Sequence, residues 1–181
     1  DSQFKKINYV NSEIEHRYGS NYHIQSDPYL LTKLAILSSK ETMQPMINMI
    51  VAELYRQLII QVINNEFPRK TNTIKTRMID YHAEALFKGE LLDSDVHVVT
   101  VSLARAGILP SQICFDTLNH FINPQWVRQD HISISRKVDK HQHVIGASFS
   151  EAKIGGSVQD AIVLFPDPMG ATGGTLSTVI D

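Results

Sequence analysis

The sequence predicts an α/β domain in which a twisted, mainly parallel sheet is flanked by helices. Three short segments in the second half of the chain predict strands, and the first is a β-branched run typical of a buried parallel strand. Helix-like segments precede and separate them, and strands that alternate with helices indicate a parallel sheet with right-handed crossovers. A glycine-rich turn directly follows the third segment. Because such sheets bind ligands at the carboxyl ends of their strands, we expect the functional site there.

The composition is typical of a globular protein with one domain. The chain has 181 residues, of which 43% are hydrophobic and 20% charged, enough to bury a core of its own. The formal net charge of −2 provides no basic field that would attract nucleic acid or an acidic membrane. We therefore expect small-molecule substrates and neither a nucleic-acid nor a membrane partner.

The single cysteine and the absence of targeting signals favour a cytoplasmic protein. Cys114 cannot form an intrachain disulfide, and its apolar neighbours Ile113 and Phe115 predict a small buried side chain. No run of about 18 apolar residues is present, so we expect no transmembrane helix. The first residues also lack the apolar core of a signal peptide.

The first half of the chain predicts an arm and one long helix. We assign residues 1–34 to an N-terminal arm and 35–181 to the α/β domain. Such arms often pack on a neighbouring subunit, so we expect a homo-oligomer, dimer or higher, with a frayed tail as the alternative.

Residues 41–66 predict a helix that ends at Phe67–Pro68. Its apolar stripe consists of Met46, Met49, Ile50, Leu54, Leu58, Val62 and Ile63, with the methionines in the core. We interpret 69–77 as a loop whose cations, a solvated cluster or a ligand site, are Arg69, Lys70, Lys75 and Arg77.

The second half contains the elements of the sheet. Val96–Val101 predicts a buried strand, followed by a turn at Ala104–Gly107 and a helix through Ile113–Phe121. His131–Ser135 alternates polar and apolar residues and predicts a second strand. Ala161–Phe165 predicts the third.

The loop after the third strand has the features of a phosphate site. Glycines let the main chain approach a ligand closely, and the N–H groups at the start of a helix favour an anion. The residues expected to contact the ligand are Asp167, Pro168, Met169, Gly170, Ala171, Thr172, Gly173, Gly174 and Thr175. A carboxylate would repel phosphate, so Asp167 is expected to accept hydrogen bonds from sugar hydroxyls. The alternative is an ordinary strand–helix turn.

Residues 167–175 resemble the loop of uracil phosphoribosyltransferases that binds phosphoribosyl pyrophosphate (PRPP). The family's form is Asp-Pro-Met-Leu-Ala-Thr-Gly-Gly-Ser/Thr, and the chain departs from it at Gly170 and, just before the loop, at Pro166. Pro168 is the mark of the uracil branch. The resemblance, which covers about residues 35–181, implies a type I phosphoribosyltransferase fold. The implied reaction transfers 5-phosphoribose from PRPP to uracil and gives UMP and pyrophosphate, a step of pyrimidine salvage.

The resemblance also implies groups that hold pyrophosphate. Arg105, with Ala106 and Gly107, resembles the family's pyrophosphate turn, although Ala104 replaces a leucine. Arg136 resembles an arginine at the base of a closing segment, for which 137–157 is the candidate. Lys153 resembles a lysine of the family in that segment.

No protein metal site is expected, because the histidines His120, His131, His141 and His143 lack a third ligand at a suitable spacing. The resemblance implies Mg²⁺ bound mainly through the substrate.

Two alternatives remain: a regulatory relative that binds PRPP or a nucleotide without catalysis, and a type I enzyme for another base. The family's Gly-Asp-Ala segment, which reads uracil, is not in this sequence, so we expect the chain to be truncated at its C-terminal side.

Overall fold

In the computed structural model, the described residues are 10–138, 144–170, Ser177 and Val179. Three α-helices and six strands lie in these ranges. The helices are α1 (Pro28–Leu37), α2 (Met46–Glu66) and α3 (Ile108–Leu118), and a short 3-10 helix spans Pro124–Trp126. The strands are β1 (Arg69–Lys75), β2 (Leu86–Leu92), β3 (Val98–Ala104), β4 (Val127–Val138), β5 (Val144–Lys153) and β6 (Ile162–Leu164).

The predicted α/β class is confirmed, with a mixed sheet. Four strands lie in the order β5-β4-β3-β6, and β3 pairs in parallel with both β4 and β6. β5 pairs antiparallel with β4 at one edge. A separate antiparallel hairpin is formed by β1 and β2. The central strand β3 is buried at six of its seven residues, because both of its faces are covered.

Two apolar clusters lie on the two sides of β3. On one side, Val98 packs with Ile59 and Ile63 of α2 and with Cys114 and Leu118 of α3. On the other side, Val99, Val101, Leu103 and Ile132 form a smaller cluster, against which Val163, Phe165 and Val179 pack. The strand therefore anchors the turn that follows it between two apolar layers.

The long helix α2 begins later than predicted and buries only part of its apolar stripe. It begins at Met46 and ends where Phe67 becomes extended before Pro68. Ile50, Ile59 and Ile63 are buried, whereas Met46 is 49% and Met49 61% exposed. The interpretation of these methionines as core residues is wrong, because no described element covers the first turn of α2 on that side.

Among the described residues, α2 alone meets the length and composition criteria for a membrane-spanning helix, and the expectation of no transmembrane helix stays a prediction. One such helix is weak support for a membrane span, because core helices of other proteins meet the same criteria. The predicted absence of a membrane partner and the cytoplasmic localisation stay predictions.

The structure differs from the sequence-based expectation in three further segments. α1 begins inside the predicted arm at Pro28 and extends past residue 34 to Leu37, and the division of the chain at 34/35 stays a prediction. Asp27 caps α1 by accepting hydrogen bonds from Tyr29 N and Leu30 N at 2.8 and 3.2 Å. The segment 69–77 is mostly strand β1, because its polar Thr and Asn residues pair with β2, which the sequence did not reveal. α3 begins at Ile108, five residues before the predicted start, directly after the turn at Gly107.

The hairpin of β4 and β5 extends past the end of β3. β4 runs from Val127 to Val138, much longer than the predicted strand, and its last pair with β3 joins Ser133 to Ala104. At this level the β4–β5 register shifts, since Ser133 pairs with Glu151 but Ile134 pairs with Phe149. Such a bulge bends a hairpin and increases its twist. Residues 137–157, predicted as a covering segment, therefore belong largely to this hairpin.

Candidate functional site

The carboxyl ends of β3, β4 and β6 lie at one edge of the sheet. Thr100 of β3 pairs with Leu164 of β6, and Ala104 of β3 pairs with Ser133 of β4. Arg105 directly follows β3, and Asp167 follows β6 by three residues. The structure thus brings the two predicted turns to the edge where ligands of parallel sheets bind.

Gly107 packs the first turn against the chain that leads to Asp167. Its N–H donates to the carbonyl oxygen of Leu103 at 2.9 Å, which closes the turn. A Cβ built at Gly107 would come within 2.9 Å of the backbone of Leu103 and 3.1 Å of the carbonyl oxygen of Pro166. Only glycine permits this approach, so the residue type at 107 determines how close the two turns lie.

Arg105 is exposed at the tip of the first turn. The peptide bond between Ala104 and Arg105 is cis, and the carbonyl oxygen of Arg105 accepts from Ile108 N at 3.2 Å. In the ranges that the structure describes, no carboxylate pairs with the guanidinium of Arg105, which leaves its donors available to a ligand. The amino end of α3 begins just behind it and adds a favourable field for an anion.

Asp167 is half-buried, and one of its carboxylate oxygens is already engaged. Oδ1 accepts from Met169 N at 3.0 Å, a local turn that orients the carboxylate. Pro166 before it is buried, whereas Met169 and Gly170 are exposed. A Cβ at Gly170 would meet no described atom within 4 Å, so packing does not require this glycine. The remaining predicted ligand contacts, which lie outside the described residues, are Ala171, Thr172, Gly173, Gly174 and Thr175.

Tyr55 of α2 is a neighbour of this loop that the sequence gave no reason to select. It lines a cavity of about 140 Å³ together with Phe165 and Pro166. Burial raises the pKa of the Tyr55 hydroxyl, and the negative charge of Asp167 raises it further. The hydroxyl therefore stays protonated near Asp167 and is available as a hydrogen-bond donor.

Cys114 lines the same cavity and is 4% exposed. Burial raises the pKa of its thiol to about 12. The prediction of a small buried side chain is confirmed. A thiol with a raised pKa is also a poor nucleophile.

Another cavity lies away from the strand ends. It has a volume of about 350 Å³ and lies among α2, α3 and β2, where Arg56, Leu92 and Phe121 line it. We place the site at the strand ends because the candidate ligand-binding groups converge there.

The two cations assigned to the closing segment occupy different levels of the hairpin. Arg136 lies on β4, three residues beyond Ser133, where its backbone pairs with Ala147; its side chain lies outside the described part. Lys153 is the exposed last residue of β5 and pairs with His131, which in turn pairs with Ser102. Lys153 is thus two strands away from β3 and below the end of that strand. The structure does not bring it beside Arg105 or Asp167.

Two of the four cations in the basic segment 69–77 have structural partners. Lys70 forms ion pairs of 2.6 Å with both Asp93 and Asp95, and Arg69 donates to the carbonyl oxygen of Asn64 at 2.7 Å. These contacts raise the pKa of Lys70 and lower that of Asp93. Lys70 therefore connects β1 to the residues that follow β2, and Arg69 contacts the end of α2.

Metal-ligating side chains do not cluster in the ranges described, where no group of three His, Cys, Asp or Glu residues could hold an ion. His120 and His131 are separate exposed residues. His141 and His143 lie outside the described residues.

The fold and its strand-end turns define a phosphoribosyltransferase-like α/β protein. The family model described as uracil phosphoribosyltransferase matches residues 24–181, and the chain belongs to this family. The resemblance drawn from residues 167–175 is thereby confirmed, and the match begins upstream of residue 35.

Comparison with solved structures finds a protein of similar fold. The AQ2163 protein from Aquifex aeolicus is similar with a TM-score of 0.65 and 17% sequence identity, over 86% of this chain. The chain spans 65% of the length of that protein. At this identity the similarity shows the fold alone. No curated protein sequence matches the chain significantly.

Proposed function

We propose that the protein transfers 5-phosphoribose from PRPP to uracil and forms UMP and pyrophosphate. The observation that carries this proposal is the approach of the Arg105 turn to the Asp167 loop through Gly107 and Pro166, in a chain of this family. A loop for the sugar phosphate beside an arginine for pyrophosphate matches the two ends of PRPP.

The reaction exchanges one bond at C1 of the sugar for another. A ring nitrogen of the base forms a bond to C1, the bond from C1 to the pyrophosphate oxygen breaks, and the base releases its N–H proton. Positive charge develops on the sugar ring and negative charge on the leaving group. Catalysis then depends on aligning the reactants and stabilising the departing charge.

The chain's residues divide these tasks. Arg105 binds the pyrophosphate through its planar fork, together with the main chain at Ala106 and Gly107. Asp167 accepts hydrogen bonds from the ribose hydroxyls through the oxygen that Met169 N leaves free. The loop from Pro168 to Thr175 binds the 5-phosphate through its amides and hydroxyls. Arg136, which lies on β4 beyond the end of β3, acts from the hairpin as it covers the substrate.

Mg²⁺ fits this site as a substrate-bound ion. Asp167 offers one carboxylate oxygen without a described partner, and the other described residues supply no cage of carboxylates. Mg²⁺ commonly uses few protein ligands and takes most of its oxygens from phosphates and water. When bound, it would neutralise part of the pyrophosphate charge, while Arg105 neutralises another part.

The test is a combined binding and base-specificity experiment on the full-length protein. Calorimetry with PRPP and Mg²⁺ should show binding, and release of pyrophosphate should depend on uracil and not on orotate, hypoxanthine or adenine. Binding without turnover of any base would favour a regulatory relative. Turnover with another base alone would overturn the assignment of uracil, which depends on Pro168.

The most direct test of the proposed mechanism is a substitution of Arg105. We expect Arg105→Ala to lose pyrophosphate release by about 10²-fold or more, because the leaving group loses a paired charge. Arg105→Lys should recover part of the rate, since it keeps the charge without the fork. Lys70→Ala, which removes a cation remote from the site, is the matched control. Unchanged turnover in Arg105→Ala would refute the role.

A further inference from the structure

A short segment connects the β4–β5 hairpin to the strand that leads to Asp167. β5 and β6 lie at opposite edges of the four-stranded sheet, so residues 154–161 must cross β4 and β3 to join them. The position of β6, and hence of Asp167, depends on how this crossing segment is held.

Two charged residues of β4 hold the crossing segment. Arg128 donates through Nε and Nη2 to Asp130 at 3.0 Å for each nitrogen. The same Nη2 donates to the carbonyl oxygen of Gly156 at 3.1 Å, and Nη1 reaches that of Ser157 at 3.4 Å. Asp130 Oδ1 also accepts from Gly155 N at 3.0 Å. We call this set of contacts, formed by Arg128, Asp130 and residues 155–157, the clasp.

The clasp is tightly packed. Asp130 is 3% exposed, although it carries a carboxylate. A Cβ at Gly155 would come within 2.6 Å of Cδ of Arg128 and 3.4 Å of Oδ1 of Asp130. Because a buried carboxylate without its partner is costly, loss of the Arg128 charge should destabilise the clasp. Loss of the Asp130 charge should free the guanidinium that holds Gly156 and Ser157.

A stiff connection leads from the clasp to β6. Gln159 N donates to Ser157 Oγ at 3.1 Å, and Ala161 N donates to the carbonyl oxygen of Val158 at 3.1 Å. Ile162 N then donates to the carbonyl oxygen of His97 at 2.9 Å, where β6 begins. β6 has three residues, each paired with β3, so its own ladder is a weak constraint on its position. The clasp supplies the constraint that this short strand lacks.

The clasp cannot touch the substrate itself. Arg128 pairs with Val99, near the amino end of β3, whereas the site lies beyond Ala104 at the other end. An effect on the site must therefore pass through β6.

We propose that Asp130 is a positioning residue, which orients Arg128 and the crossing segment so that β6 presents Asp167 at the level of Arg105. This inference rests on the proposed function, because the position of Asp167 matters only if the loop binds PRPP. It adds a charged pair on the amino-terminal side of the sheet to the determinants of PRPP affinity.

The experiment compares wild type with Asp130→Asn and Arg128→Lys. Asp130→Asn keeps the shape and removes the charge, and Arg128→Lys keeps the charge and removes the fork. Lys70→Ala is the control, because it breaks an ion pair of the β1–β2 hairpin that lies on another sheet. The readouts are hydrogen exchange of residues 154–165, calorimetry with PRPP and Mg²⁺, and the KM values for PRPP and uracil.

We expect Asp130→Asn to exchange faster over residues 154–165 and to bind PRPP about 10- to 100-fold more weakly, the scale of a small misplacement of a binding group. Arg128→Lys should show a smaller loss, and the KM for uracil should change little. The control should match wild type in PRPP affinity. Should Asp130→Asn fail to fold, Arg128→Lys and Gly155→Ala provide the same comparison.

The outcomes separate the two proposals. Wild-type protein that binds no PRPP refutes the proposed function. Wild-type protein that binds PRPP, with Asp130→Asn equal to it within twofold, refutes the positioning role alone. Faster hydrogen exchange over residues 154–165 without weaker PRPP binding also overturns the positioning role, because the clasp would then contribute only to stability.

Discussion

Gly107 lies so close to Pro166 that a Cβ at position 107 would come within 3.1 Å of the Pro166 carbonyl oxygen. This contact joins the end of β3 to the end of β6 at the point where each strand passes into a loop. It brings the exposed guanidinium of Arg105 and the half-buried carboxylate of Asp167 to one edge of the sheet. The absence of a side chain at 107 is therefore a requirement of the site.

The first prediction concerns this approach. Gly107→Ala should lower the free energy of unfolding by about 1–3 kcal/mol, because the added methyl group meets the backbone of Leu103 and Pro166. It should also weaken PRPP binding, since the two turns must separate. Chemical denaturation and calorimetry measure the two effects. Gly170→Ala is the control for stability, as its Cβ meets no described atom within 4 Å. Equal stability of both variants would contradict the steric explanation.

The second prediction concerns alkaline pH. Burial raises the pKa of the Cys114 thiol from its ordinary value of 9.0 to about 12, so the unfolded chain loses this proton first as pH rises. Stability from this group is complete below pH 9 and is lost as pH rises towards 12, by at most about 1.4 kcal/mol per pH unit. The variant Cys114→Ala should show a shallower decline of unfolding free energy in this window.

Tyr55→Phe is the comparison for this pH profile. The pKa of Tyr55 is also raised, from an ordinary value of 10.0, so its removal should change the profile only above pH 10. The measurement is urea denaturation at a series of pH values. If the unfolding free energy declined with the same slope between pH 9 and pH 10 in wild type and in Cys114→Ala, the thiol would not be buried in solution.

The third prediction tests the cluster between β3 and the helices. Leu118 of α3 has no exposed surface, so Leu118→Ala should cost about 2–5 kcal/mol of unfolding free energy through lost burial and a residual cavity. Leu86→Ala in β2 is the matched control, because Leu86 is 45% exposed, and it should change stability by about 0.5 kcal/mol or less. Similar losses in both variants would mean that α3 does not pack on β3 as described.

Much of the fold could be predicted because it depends on local patterns. The β-branched run at Val98–Val101 has the composition of a strand covered on both faces, and β3 is such a strand. The periodic apolar residues before Phe67 predicted α2. In contrast, β1 is polar and mostly exposed, and it is a strand because it pairs with β2. Such pairing leaves little signal in a single sequence.

Part of the candidate site could also be predicted from the sequence. Arg105 and Asp167 could be selected because arginine and a carboxylate beside glycines have recognisable chemistry at strand ends. Tyr55 could not, since an aromatic residue on an apolar helix is ordinary. Arg128 and Asp130 offered only an alternating charge pair, whose partners at 155–157 are distant in sequence.

The sequence by itself determined the family, through the resemblance of residues 167–175 and the family-model match. It also determined the strand-and-helix character of the second half and the residue types of the two loops, because these depend on composition and spacing along the chain. The tertiary structure decided which residues lie together: Gly107 against Pro166, Tyr55 near Asp167, and Arg128 with Asp130 on the crossing segment. The physical reason is that side-chain contacts depend on strand register and on the order of strands in the sheet. Both result from the packing of the whole chain around β3.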